Sequence, residues 1–100
     1  MNKQQYIESI QRYFLNKPVL KAYLFGSILE SSFTNESDID ILVELDYNQG
    51  GADFFNYLQM QDELCILTKR KIDLVSSNGI SNYIRPIIDH KKELVYERKG

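Results

Sequence analysis

Phe25-Gly26-Ser27-Ile28-Leu29-Glu30-Ser31-Ser32-Phe33-Thr34-Asn35-Glu36-Ser37-Asp38-Ile39-Asp40-Ile41-Leu42-Val43 joins an apolar segment to an alternating one through a polar loop. The apolar part, Val19 to Phe25, is rich in strand formers and stops at Gly26, the pattern of a largely buried strand. Residues 39–45 alternate: Ile39, Ile41, Val43 and Leu45 fall to one side, Asp40, Leu42 and Glu44 to the other. This predicts a strand with a core face and a wet face. Gly26-Ser27 then stands where a strand ends and a short helix begins. A glycine there, lacking Cβ, lets a phosphate approach the backbone amides, and a helix N-terminus favours negative charge. Ser27 adds a hydroxyl donor. Asp38 and Asp40 enter the second strand with both carboxylates on one face, about 6.5–7 Å apart at Cα.

The flanks complete a small α/β pattern. Tyr6, Ile7, Ile10 and Phe14 recur at helical spacing over residues 3–15, and Asn16-Lys17-Pro18 ends that helix because the residue before proline is pushed out of the helical region. After Asn48-Gln49-Gly50-Gly51, residues 52–67 place Phe54, Tyr57, Leu58, Leu64 and Cys65 along one helical stripe, with Gln61 as the exception. Lys71-Ile72-Asp73-Leu74-Val75 alternates again, Ile72 and Leu74 inward and Asp73 outward like Asp40. Ile80, Tyr83, Ile84, Ile87 and Ile88 share a helical face that Pro86 either kinks or restarts. Glu93 to Glu97 reads as a short edge strand. The expected fold is a single α/β domain over residues 1–100, a small mixed β-sheet flanked by helices.

Asp38, Asp40 and Asp73 would make a trio of carboxylates. At an effective dielectric near 20, each pair separated by about 6–7 Å repels by roughly 2–3 kcal/mol, so a close trio is favoured when a cation sits among it. All-oxygen ligation suits Mg²⁺ or Mn²⁺ rather than zinc. Such ions can clamp the attacking and leaving oxygens of an in-line displacement at phosphorus. Gly26-Ser27 would hold a triphosphate, the paired aspartates the metals, and Asp73 would be the base for an incoming hydroxyl. From average composition, Gly-Ser followed ten residues later by Asp-x-Asp arises by chance in such a chain with probability on the order of 10⁻³, so the spacing favours a nucleotide site over surface polarity.

The remaining composition narrows the alternatives. With 14 acidic and 12 basic side chains and a formal charge of −2, extended nucleic-acid binding driven by bulk charge is disfavoured. The single Cys65 excludes an intrachain disulfide and a multi-cysteine zinc site, and reads as a small apolar residue on a helix. Met1-Asn2-Lys3-Gln4-Gln5 has no apolar leader region and no apolar run reaches the ~18–20 residues of a membrane span, so the expected compartment is the cytoplasm. His90, in Asp89-His90-Lys91-Lys92, has no second His or Cys to share a metal and reads as a surface residue.

The Gly26-Ser27 and Asp38/Asp40 spacing resembles the hallmark of the minimal nucleotidyltransferase family, the MNT antitoxin-like branch of the DNA polymerase β superfamily. Asp73 matches that family's later acidic residue, and Val95-Tyr96-Glu97 its usual ending, so the likeness covers nearly the whole chain. The resemblance implies a polymerase β palm-like fold, with Asp38, Asp40 and Asp73 as catalytic and metal-binding residues and Gly26, Ser27 and Ser37 as nucleotide contacts. It also implies Mg²⁺- or Mn²⁺-dependent transfer of a nucleotide, commonly AMP from ATP, onto a hydroxyl. Many members are antitoxins that bind and adenylylate a HEPN-domain toxin on a tyrosine.

One departure bears on activity: family members usually follow Gly-Ser with an Ala-Arg-Gly-like stretch, and this chain has Leu29-Glu30-Ser31. An acidic Glu30 near a triphosphate should weaken binding by about 1–3 kcal/mol. Lys69-Arg70-Lys71, entering the Asp73 strand, offers compensating positive charge. Three readings stay in play at this level. One is an active transferase acting on a partner protein; a second is a catalytically weak or inactive module that acts by binding its partner. A third transfers to a small molecule, for which a homo-oligomer interface would have to supply the acceptor pocket.

Overall fold

The computed structural model describes residues 2–30, 33–34, 36–48, 54–77 and 85–99. Helix α1 (Lys3–Phe14) opens on Asn2, whose side chain accepts from the Gln5 amide while the Gln5 side chain accepts from the Asn2 amide, a reciprocal cap that satisfies two otherwise orphaned donors. Strand β1 (Val19–Phe25) follows, then a four-residue 3₁₀ turn (Gly26–Leu29), β2 (Ile39–Leu45), α2 (Phe54–Thr68), β3 (Ile72–Ser76), α3 (Arg85–His90) and β4 (Glu93–Glu97). The sheet order is β3-β2-β1-β4. β2 runs parallel to β3, while β1 is antiparallel to both β2 and β4, so the sheet is mixed as expected.

The core lies between one face of this sheet and helices α1 and α2. Tyr6, Ile7, Ile10 and Phe14 of α1 and Met60 and Leu64 of α2 pack on Ala22, Leu24, Ile39, Ile41, Val43, Ile72 and Leu74. The alternation in β2 and β3 placed Ile39, Ile41, Val43, Ile72 and Leu74 correctly. The second face of β2 is not uniformly wet, however. Leu42 is buried there, outside the principal core cluster, and sits in register with Tyr23 of β1.

Helix α2 corrects the sequence reading further. Leu58 is exposed, and the inward line runs through Tyr57, Met60, Gln61, Leu64 and Thr68. Gln61 occupies that line for a hydrogen-bonding reason. β3 is an edge strand, and the Leu74 amide donates to Gln61 Oε1 at 3.3 Å, the Ile72 amide to Cys65 Sγ at 3.4 Å, and Tyr57 Oη donates to the Leu74 carbonyl. Side chains at 57, 61 and 65, one helical turn apart, thus satisfy backbone groups that an open strand edge would expose. α2 closes on Lys69 with φ of 55°, the left-handed position where glycine is favoured.

Pro86 is the second residue of α3, where its missing amide hydrogen leaves no intrahelical bond unmade; residues 78–84, which would distinguish a kink from a restart, lie outside the described residues. The Gly50-Gly51 turn and the positions of Ile80, Tyr83 and Ile84 lie outside the described residues. His90 is exposed at the end of α3. Among the described residues, no helix is long and apolar enough to cross a membrane.

Candidate active site

The site forms where β1 ends and β2 begins. Asp40 pairs in register with Phe25 of β1 on one side and with Asp73 of β3 on the other, so strand pairing alone sets two carboxylates side by side. Their side chains share a hydrogen bond. Burial, then Asp73 and more weakly Asp38, push the Asp40 carboxyl up to about 6, while Lys71 pulls against them. Protonation of Asp40 below that value relieves the repulsion between two carboxylates that strand pairing holds side by side.

Gly26 is the wall of this pair. Its φ is +76°, and a Cβ there would lie 2.2 Å from Asp40 Oδ2. No side chain fits at that position without displacing the carboxylate. The expected helix N-terminus beside it is a 3₁₀ turn of four residues. Four residues align too few peptide dipoles to act as a macrodipole, so any contribution to anion binding comes from local amides and from the close approach glycine permits. Ser27 Oγ donates to the Asp38 carbonyl at 3.3 Å and ties the turn to the acidic loop.

Asp38 stands one step away from the pair. Its carboxylate faces Lys71 Nζ at 3.6 Å in a largely exposed ion pair. Among the described residues no three His, Cys, Asp or Glu side chains are grouped closely enough to hold a metal ion, so the structure assembles a pair, Asp40 and Asp73, rather than the expected trio. The donor set still fits a hard divalent cation: every candidate ligand is a carboxylate oxygen, and a cation would offset the repulsion between Asp40 and Asp73.

The loop before Asp38 is built by residues that sequence reasoning assigned elsewhere. Ser37, expected at the nucleotide, has its hydroxyl accepting from the Thr34 amide at 3.0 Å and paired with Thr34 Oγ1 at 3.2 Å. Arg70, part of the basic run expected to offer compensating positive charge, is committed to the same loop. Its guanidinium donates to the carbonyls of Thr34, at 2.6 Å, and Ser37, and to Tyr6 Oη at 3.2 Å. It also lies 4.7 Å from the Phe33 ring centroid and 5.6 Å from that of Tyr6. The planar five-donor fork suits several backbone acceptors at once, and the basic run Lys69-Arg70-Lys71 carried no signal to separate this residue from its neighbours. Tyr57, whose hydroxyl reaches Leu74 next to Asp73, has its pKa raised by burial and then by the Asp73 charge.

A cleft of about 780 Å³ is lined by Gly26, with Phe25, Leu29 and Ile88 as its apolar residues. Glu30 and Glu93 face Lys3, Lys91 and Lys92 around it.

Comparison with known proteins agrees with this geometry. Residues 8–100 match the family described as polymerase beta, nucleotidyltransferase. Two relatives from Methanocaldococcus jannaschii, MJ1379 and MJ0128, both named as protein adenylyltransferases, are each 38% identical over 74 residues, or 73% of this chain. The match spans 71% of the first and 70% of the second. Among solved structures, a toxin–antitoxin complex with AMP-PNP superposes with a TM-score of 0.72 at 19% identity, over 99% of this chain and 76% of that one. A chain from the complex of a tri-AMPylated Shewanella oneidensis HEPN toxin with MNT antitoxin gives 0.72 at 18% identity, over 96% and 73%. At such identities the solved structures speak to the fold, the mixed four-stranded sheet with its helices, and the family match speaks to ancestry. The strand-end glycine against a carboxylate pair and the match over residues 8–100 together place this chain in the polymerase β nucleotidyltransferase family.

Proposed function

We propose that this chain is a divalent-metal-dependent adenylyltransferase that moves AMP from ATP onto a hydroxyl of a partner protein, as the antitoxin of a HEPN/MNT pair. The observation that carries the reading is the Asp40–Asp73 pair on adjacent parallel strands, with Asp40 packed into the space that a side chain at Gly26 would fill. Asp40 and Asp73, with Asp38, would hold Mg²⁺ or Mn²⁺, which would stabilise charge developing on the phosphoryl oxygens. Asp73 takes the proton of the acceptor hydroxyl as its oxygen bonds to the α-phosphorus. The bond from that phosphorus to the bridging oxygen breaks, and pyrophosphate leaves. Arg70 and Ser27 hold Asp38 in place through the backbone of its loop.

A protein acceptor is supported by the relatives' names and by the surface of α2. Phe55 and Ile66 are 85% and 77% exposed, and with Leu58 they flank the exposed Asp62 on the helix side opposite the core, a mixed surface suited to a protein contact. The test is label transfer from ATP to a co-expressed small helical partner. Transfer should vanish in Asp38→Ala and Asp40→Ala with folding retained, and undiminished transfer by those variants would overturn the reading.

A second reading, a module that acts on its partner by contact alone, is favoured by Glu30 beside Gly26 and by Asp38 facing Lys71 instead of the other carboxylates. Calorimetry separates the two. Mg²⁺-dependent ATP binding that disappears in Asp38→Ala/Asp40→Ala supports the enzyme; no binding by the wild type, with partner capture intact, supports the module.

A further inference from the structure

We infer that Lys71 competes with the divalent cation for Asp38, its ammonium holding that carboxylate away from the Asp40–Asp73 pair until a cation displaces it. Lys71 is then a positioning residue that sets the cation concentration at which the third carboxylate is recruited. This rests on the metal reading above and gives a distinct role to one member of a basic run whose residues the sequence does not tell apart.

Strand pairing places four charged side chains in a two-by-two block. Asp40 is in register with Asp73, and Ile39 with Ile72. The Ile39 amide donates to the Lys71 carbonyl at 3.0 Å, which carries the pairing one step back, before β2 and β3 begin. Side chains two residues apart share a face, so Asp38 follows Asp40 and Lys71 follows Asp73. The ion pair of Lys71 Nζ with Asp38 Oδ2 at 3.6 Å is the result. Lys71 thus takes the fourth corner of a block whose other three corners are carboxylates, and its charge also acts on Asp40, against the push of burial and of the neighbouring aspartates. Arg70, one residue earlier, turns to the Thr34 and Ser37 carbonyls and Tyr6 instead. Alternation therefore divides the basic run between a loop clamp and a counterion of the acidic site.

The Asp38–Lys71 pair is built to be exchanged. The Lys71 side chain is 71% exposed and that of Asp38 42%, and an ion pair so open to water holds weakly because both ends keep much of their hydration. The four-carbon stem of lysine lets the ammonium leave without moving β3. A divalent cation carries twice the charge of an ammonium and takes a carboxylate oxygen as a direct ligand, so it wins Asp38 once present in sufficient concentration. A cation that engages Asp38 must first break the pair, and the affinity of the free site is lowered by that step. Without a cation, the same ammonium offsets part of the repulsion among the three aspartates.

The test is calorimetric titration of MnCl₂, without nucleotide, into the wild type, Lys71→Gln, Lys71→Arg and Lys69→Gln. Lys71→Gln should bind Mn²⁺ about threefold to fivefold more tightly than the wild type. Lys71→Arg keeps the charge and should stay within about twofold of the wild type, as should Lys69→Gln, which removes the same charge from an exposed residue after α2. The rise in thermal midpoint produced by one fixed Mn²⁺ concentration should be largest for Lys71→Gln. A Lys71→Gln protein that binds Mn²⁺ no more tightly than a binding-competent wild type would overturn the competition and leave the metal reading standing. Equal tightening in Lys69→Gln would trace the effect to net charge, and equal tightening in Lys71→Arg would sever it from the cation at position 71; either overturns the inference. Absence of Mn²⁺ binding in all four proteins would overturn the metal reading with it.

Discussion

A methyl group on Gly26 would stand 2.2 Å from Oδ2 of Asp40, closer than any Cβ contact tolerates, and at a φ of +76° that L side chains seldom adopt. Gly26→Ala therefore carries two costs, backbone strain of about 1–3 kcal/mol and displacement of the carboxylate. The expected outcome is a stability loss of that order by urea denaturation together with loss of Mg²⁺-dependent nucleotide binding. A Gly26→Ala protein as stable and as competent as wild type would contradict the described turn.

The Asp40 carboxyl titrates near 6 in the folded chain against an ordinary value of 3.8, chiefly because of burial and then Asp73. The folded state holds this proton more tightly than the unfolded state does. The associated stability is fully present below 3.8 and is lost as pH rises through 6. In metal-free buffer, thermal midpoints measured across this range should fall for the wild type more than for Asp40→Asn. Equal profiles for the two proteins would show that Asp40 titrates normally.

Arg70 holds the carbonyls of Thr34 and Ser37, one residue ahead of Asp38. Arg70→Ala should cost about 1–3 kcal/mol through the unpaired carbonyls and lower the apparent affinity for divalent cation. Arg70→Lys should restore little, because a single ammonium cannot replace the planar fork. Recovery of wild-type cation affinity in Arg70→Lys would reduce Arg70 to a source of charge.

Gln61→Leu keeps the helix and adds apolar surface, yet it leaves the Leu74 amide of an edge strand without its partner. We expect a loss of about 1 kcal/mol and greater self-association, read by light scattering at rising concentration. A more stable, monomeric variant would mean that the edge needs no such partner.

Lys69 occupies a left-handed position after α2 with φ of 55°. Lys69→Gly should raise stability by about 0.5–1 kcal/mol, and Lys69→Val should lower it. The order of the three thermal midpoints, Gly above Lys above Val, is the readout.

The element order was legible in the chain because period-two and helical alternation are local signals, and so were the inward residues of β2 and β3. Leu42 and Leu58 were misplaced for a common reason. Burial of a residue off the main stripe depends on what other segment comes to cover it, and that is not a property of its own neighbours in sequence. Gln61 looked like an error in an apolar stripe until the edge strand it serves was in place.

Gly26, Ser27, Asp38 and Asp40 lie close along the chain, so their spacing carried the candidate chemistry and the family resemblance. The tertiary structure decided which carboxylates meet. Parallel pairing of β2 with β3 puts Asp73, 33 residues along from Asp40, in register beside it, while Lys71 draws Asp38 aside. It also decided that Arg70 is a clamp and that Lys91 and Lys92 stand at the Gly26 cleft. These relationships join residues far apart in sequence, and only strand register and helix packing bring such residues within hydrogen-bond reach.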